Sequence, residues 1–163
     1  MGITTPQPEL TGGCTCKTVR YRLSSAPLIV HCCHCRYCQR ETGASFALNA
    51  MIESERLQLT AAQPVIVSTP SLSGKGQQIA RCPSCHVAVY SHYAGLGELA
   101  TFVRVGTLDD PDRLPPDLHI FTASRQPWVT LPAGARAFEE FYDREREWPE
   151  ASLARRRALL GQR

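Results

Sequence analysis

No apolar run in this 163-residue sequence approaches the roughly 20 residues that a membrane helix needs. The opening "MGITTPQPEL" has neither a basic n-region nor an apolar h-region, so no secretory signal is expected. Met1-Gly2 does not begin a myristoylation motif either, because Pro6 stands where serine or threonine is wanted. Aromatic residues are sparse at 7%, and no internal repeat is visible. The one dense basic run, "ARRRAL", has no aromatic residues between its cations, which argues against a nucleic-acid partner. The cytosol is therefore the expected compartment, and stable disulfides are disfavoured there.

Cysteine is what the sequence does have. There are eight, and four of them fall in "HCCHCRYCQRETG" (residues 31–43) together with two histidines. Thiol clusters in a reducing compartment point to metal binding or catalysis. The formal charge of +3 counts every thiol as neutral. Seven thiolates on two zinc ions would cancel it, and with it the apparent basicity.

Apolar content of 43% and a length of 163 residues fit one soluble domain with a real core. Residues 1–11 read as a disordered lead-in, 12–142 as a β-rich body and 143–163 as a helical tail. In "TVRYRL", Val19, Tyr21 and Leu23 alternate on one face and predict a half-buried strand. Further short strands are expected at 46–52, 56–59, 65–69, 88–93, 119–122 and 128–131. The strongest is expected at 99–108, where β-branched and aromatic residues concentrate. "SLSGKGQ" (71–77) reads as a turn, and the prolines of "DDPDRLPPD" (109–117) enforce a loop. Pro149 and Glu150 mark the start of one helix, with a modest apolar face from Leu153, Ala154, Leu159 and Leu160. The fold class is mainly β.

The cysteines fall into groups by spacing: Cys14-x-Cys16, Cys33-x-Cys35-x-x-Cys38 and Cys82-Pro83-x-Cys85, with Cys32 left over. Residues i and i+2 of an extended chain face the same way, so C-x-C presents two sulfurs together. Two sulfurs from each outer pair would make a closed four-cysteine structural zinc site of Cys14, Cys16, Cys82 and Cys85. The alternative is that both pairs are merely buried thiols. The residue after a C-P-x-C turn often needs positive φ, and here that residue is His86. Cys33, Cys35 and Cys38 can converge while Cys32 faces away, giving three ligands and an open position, the arrangement of a catalytic zinc. A second closed site completed by Cys32, His31, His34 or His119 is the alternative. A redox C-x-x-C at Cys35–Cys38 is disfavoured, because no βαβ pattern surrounds it. His86 and His92 read as turn and surface residues. His119 is either a satisfied core histidine or a residue facing the metal.

"GGCTCKTVRY", "HCCHCRYCQRETGASF", "CPSCHVAVY" and "VGTLDDP…HIFTASRQPW" together resemble, in order, the motifs of the glutathione-dependent formaldehyde-activating enzyme family, also called the GFA/CENP-V family. The resemblance spans roughly residues 12–142. It implies a β-tent fold of zinc-stabilised sheets, here with a short C-terminal helix. It also implies a structural zinc on Cys14, Cys16, Cys82 and Cys85 and a catalytic zinc on Cys33, Cys35 and Cys38. The implied activity is that of a carbon–sulfur lyase run in the synthetic direction, joining a small aldehyde such as formaldehyde to glutathione or a related thiol. The sequence departs from the family pattern at Lys17 and His86, where glycine is usual, and at Cys32, where histidine is frequent.

A three-thiolate zinc is a poor Lewis acid, so delivery of a thiolate is favoured over strong carbonyl activation. Glutathione's two carboxylates want cations, and Arg36, Arg40, Lys75 and Arg125 lie near the motifs. Trp128 reads as a pocket wall or a core aromatic. The rival from another class is a non-catalytic zinc scaffold that binds proteins, since fold alone does not fix function.

Overall fold

The computed structural model describes residues 9–161. Among the described residues, ten strands form two sheets. The smaller is antiparallel, in the order β1 (Leu10–Gly13), β2 (Arg20–Leu23), β5 (Leu57–Leu59). The larger has seven strands. Its order is β10 (Leu118–Ile120), β3 (Ile29–Cys33), β4 (Ala47–Glu53), β9 (Ala100–Arg104), β8 (Ala88–Tyr93), β7 (Gln77–Arg81) and β6 (Val65–Thr69). Among the described strand pairs, only β10–β3 is parallel.

The period-two rule sorts the core. Val30, Ala50, Ile52 and Val103 face the small sheet and pack with Val19, Tyr21 and Leu23. Ile29, Cys33, Ala47 and Met51 face the other way and meet Leu118, Ile120 and the C-terminal helices. The large sheet is therefore buried on both faces near its centre, which is why β3 is buried throughout and shows no alternation. Gly12 permits the sheets to meet, because a Cβ there would lie 2.5 Å from the Tyr21 hydroxyl and 2.6 Å from the Thr107 carbonyl oxygen.

Several expectations need correction. Leu10 and Thr11, expected in a disordered lead-in, pair instead with Leu23 and Arg22, and the rest of that expectation, residues 1–8, lies outside the described residues. The strand expected at 99–108 covers only Ala100–Arg104 and gives way to a 3-10 turn at Val105–Thr107. No strand forms at 128–131, where Pro127 and Pro132 limit pairing. Two helices were not foreseen. One is α1 (Arg36–Thr42), which opens on Cys35 and ends at Gly43 with φ 67°. The other is the single turn α2 (Arg144–Glu147).

The expected tail helix is α3 (Glu150–Leu160), with Pro149 just before it rather than in its first turn. It is stitched to the body. The Ser152 hydroxyl donates to the Leu28 carbonyl at 2.7 Å, and Arg155 holds the buried Glu53 with a 2.7 Å bond from Nε. Leu153 and Leu159 are buried, whereas Ala154 is exposed. Among the described residues no helix is long and apolar enough to cross a membrane.

Candidate functional site

Two hairpin-like turns bring the outer cysteines together. At the first, the Cys14 amide donates to the Val19 carbonyl and the Lys17 amide to the Cys14 carbonyl, both at 3.0 Å. At the second, the Cys82 amide donates to the Val87 carbonyl and the His86 amide to the Cys82 carbonyl, again at 3.0 Å. Each turn closes on a residue in the left-handed region, Lys17 at φ 64° and His86 at φ 61°. The positive φ expected at His86 is therefore observed, and Lys17 shares it.

The sulfurs of Cys14 and Cys16 lie 3.5 Å apart, and those of Cys16 and Cys82 lie 3.6 Å apart. Cys85 completes a group whose sulfurs all lie within 4.8 Å of one another. Tetrahedral zinc–sulfur bonds of ~2.3 Å place sulfurs about 3.8 Å apart, so this donor set fits a zinc ion. Backbone amides of Val19, Ser84 and Cys85 point at Cys14 or Cys82 sulfur at 3.3–3.5 Å, which favours thiolate. Hydrogen bonds from Thr18 draw the exposed Cys16 thiol down to about 6.

The second group is Cys33, at the end of β3, with Cys35 and Cys38 on the first turn of α1. All three are buried, and their sulfurs lie within 4.8 Å of one another. The Cys38 amide donates to Cys35 sulfur at 3.3 Å. Contacts from Cys33 and Cys38 pull the Cys35 thiol down to about 2. The Cys33 thiol is driven strongly upward by its contacts with the other two and by burial. At Cys38 the Cys33 contact favours thiolate, but the Cys35 contact and burial outweigh it and raise the thiol to about 12. Three sulfurs this close cannot all ionise without a cation between them, which is the chemistry of a metal-binding set. Among the described residues no fourth cysteine, histidine or carboxylate joins them.

These three cysteines stand on the wall of a cavity of about 510 Å³. His31, on the same face of β3 as Cys33, lines it too. Trp148 Nε1 donates to the Tyr142 hydroxyl at 2.6 Å, and that hydroxyl lies 2.5 Å from His31 Nε2. With the tryptophan as donor, the tyrosine proton points to His31, which is held as the neutral ring protonated on Nδ1. Burial, with a smaller push from Arg144, lowers His31 to about 4, which agrees.

Cys32 faces away from this cavity, as alternation requires. It joins His34 and His119 in a third buried group. Cys32 sulfur lies 3.6 Å from His34 Nε2, which lies 3.1 Å from His119 Nδ1. The two rings stack at 5.4 Å, and one ring nitrogen can donate to the other without any ion. His119 is thus a hydrogen-bonded core histidine, pointing away from the three-cysteine group.

The cations proposed from sequence are elsewhere. Arg36 and Arg40 line a separate cleft with Trp128, which is 73% exposed and so is neither a core aromatic nor part of the cysteine cavity. Arg125 donates to the Val129 carbonyl, and Lys75 is exposed on the turn before β7. His92 is half-buried, with Nδ1 2.9 Å from the Ala100 carbonyl oxygen. Sequence reasoning missed Tyr93, Phe102, Tyr142, Arg144 and Trp148 as neighbours of the cysteines. No spacing rule reaches them, since Tyr142 and His31 are separated by 111 residues.

A search of curated proteins finds no match. A solved structure of a Rhodobacter sphaeroides protein is similar to this chain, with a TM-score of 0.46 and 17% identity over 61% of this chain and 87% of the other. The model of the glutathione-dependent formaldehyde-activating enzyme family matches residues 9–124. That span includes both the four-cysteine and the three-cysteine groups and covers most of the sequence, and the chain therefore belongs to the glutathione-dependent formaldehyde-activating enzyme family.

Proposed function

We propose that this protein is a carbon–sulfur lyase working in the synthetic direction, adding a thiol to a small aldehyde in the cavity beside Cys33, Cys35 and Cys38. The observation that carries the reading is the contrast between the two cysteine groups. Four sulfurs with both turns wrapped around them make a closed set suited to a structural zinc. Three sulfurs opening on a cavity make a set that leaves room for a substrate. Family membership supports the same reaction class.

In the reaction a sulfur–carbon bond forms, the carbonyl π bond breaks and the thiol proton passes to the former carbonyl oxygen. Zinc held by Cys33, Cys35 and Cys38 would supply stabilisation of a substrate thiolate and polarisation of the aldehyde oxygen. The protein's own residues do the rest. The aromatic walls exclude water and hold both reactants together, which converts a slow bimolecular addition into a local one. Neutral His31, its Nε2 already engaged by the Tyr142 hydroxyl, lines the cavity as a fixed polar group.

The test compares rates by exchange NMR between free aldehyde and its thiol adduct, because the uncatalysed addition is already measurable. Acceleration lost in Cys38→Ser, with circular dichroism unchanged, supports the proposal. No acceleration with any thiol by the zinc-loaded protein would refute it. One observation favours the scaffold reading. Edge strand β6 exposes Val65, Ile66 and Val67 together, a surface suited to strand pairing with another chain. Normal metal loading and thiol binding without catalysis would turn the conclusion that way.

A further inference from the structure

The cavity walls speak to the kind of thiol that enters. Tyr37, Tyr93, Phe102, Phe121, Phe141 and Trp148 surround the three cysteines, contributed by α1, β8, β9, the end of β10 and the segment leading through α2. Arg144 is the one charged side chain among the lining residues apart from the cysteines themselves. Its guanidinium carbon lies 5.8 Å from the Phe141 ring centre and 5.5 Å from that of Trp148. Its Nε is buried without a hydrogen-bond partner.

The nearby acids are engaged elsewhere: Asp143 with Arg146, Glu147 with Arg136, and Glu145 with Arg157. A guanidinium held between two aromatic faces with no carboxylate opposite is prepared for an anion from outside.

Glutathione presents two carboxylates and an ammonium group. Here it would find one cation, no anion among the non-cysteine lining residues, and a wall that is largely apolar, with Asn49, Ser71, Ser73 and Gln77 as its uncharged polar members. An ionised group moved into such a wall without a partner is strongly disfavoured. The four cations that might have served the peptide lie outside the cavity.

Building on the thiol–aldehyde reading, we infer that the thiol this cavity selects has an apolar, aryl-sized body and a single carboxylate, the carboxylate on Arg144 and the body among the rings. Arg144 is a specificity-determining binding residue. It takes no part in the bond changes described above.

Binding is measured by calorimetry and by Trp148 fluorescence on the metal-loaded protein, using 2-mercapto-3-phenylpropanoate, its methyl ester and glutathione. The acid should bind at least about tenfold more tightly than glutathione. Arg144→Gln should weaken the acid by about tenfold and the ester by less than about twofold, and Arg144→Lys should recover part of the loss. The one fold-holding hydrogen bond of Arg144 is made by its backbone carbonyl, which accepts from the Trp148 amide, so these side-chain variants should fold normally, and circular dichroism checks that they do. Glutathione binding as tightly as the acid, or equal losses for acid and ester in Arg144→Gln, would overturn the inference, as would failure of both thiols to bind. Rate measurements separate this from the parent reading. Tight, Arg144-dependent binding of the acid without faster adduct formation would support the pocket assignment and sink the condensation. Faster adduct formation with glutathione alone would do the reverse.

Discussion

Glu41→Gln is expected to cost about 3 kcal/mol of stability and to loosen metal at the three-cysteine group. Glu41 sits in α1, three residues after Cys38, and its side chain is 7% exposed. It joins α1 to the sheet through Arg81 on β7 and through Arg104 on β9, the latter at 3.1 Å. The two arginines are not equivalent. Arg104 is 9% exposed, donates to Asn49 Oδ1 at 2.8 Å and already carries a buried, unpartnered Nε. Arg81 is 29% exposed and has the His86 carbonyl as a second partner.

Removing the carboxylate charge leaves Arg104 buried and uncompensated, which is the expensive half. Breaking a buried pair this way costs about 3–5 kcal/mol, and the lower end applies because Asn49 still accepts from Arg104. The exposed half adds less than about 1 kcal/mol. Urea unfolding followed by circular dichroism should show a midpoint lowered by about 1.5 M, for a slope near 2 kcal/mol/M. The melting temperature should fall by about 6–12 °C. Arg81→Ala should cost less than about 1 kcal/mol. Equal costs for Glu41→Gln and Arg81→Ala would refute the idea that burial at Arg104 decides the effect. A loss below about 1 kcal/mol for Glu41→Gln would do so as well.

Elemental analysis of the reduced, metal-replete protein should give two zinc ions per chain, one retained and one readily taken by a chelator. A single ion would contradict two separate sites. Cys14→Ala and Cys85→Ala should unfold or strongly destabilise the protein, because their group ties the turn before β2 to the turn after β7, whereas Cys35→Ala should stay folded; equal loss in all three, by melting, would make both groups structural. Asp109 tests acid stability. Hydrogen bonds from Arg20 and Thr11 hold its carboxyl down at about 2, below its ordinary 3.8. A depressed carboxylate contributes stability that is fully present above the unfolded value and is lost as pH falls toward 2. Since Asp109 and Arg20 are 47% and 28% exposed, the contribution is below about 1 kcal/mol. Asp109→Asn should therefore unfold slightly earlier than the wild type at pH 7, and the two curves should converge by about pH 2. A constant gap between them across this range would rule out the ion pair as the cause.

Local chemistry was legible in the sequence wherever it depends on neighbours along the chain. The C-x-C and C-x-x-C spacings show which sulfurs share a side, alternation turns Cys32 away from Cys33, and Pro149-Glu150 announces α3. The strain at His86 follows from its place after the C-P-x-C turn. The family motifs could be read the same way; the matched span, residues 9–124, covers all but the end of the last motif and stops short of the 142 expected. Elements buried on both sides were not legible, because a continuous buried run has no period: β3 is the example, and three of its five residues are cysteine or histidine. Helix α1 is only seven residues long, too short for a periodic face, although Gly43 marks its end.

Only the tertiary structure decided what long-range packing controls. It joined Cys16 to Cys82 across 66 residues and set His34 against His119 across 85. It also aimed Arg36 and Arg40 into a cleft apart from the cysteines. The cavity is the clearest case. Its rings come from strands and helices that meet only when the C-terminal segment folds back over the sheet. A cation's distance in sequence from a motif says nothing about which wall it will occupy, because sheet order, not chain order, sets which side chains face one another.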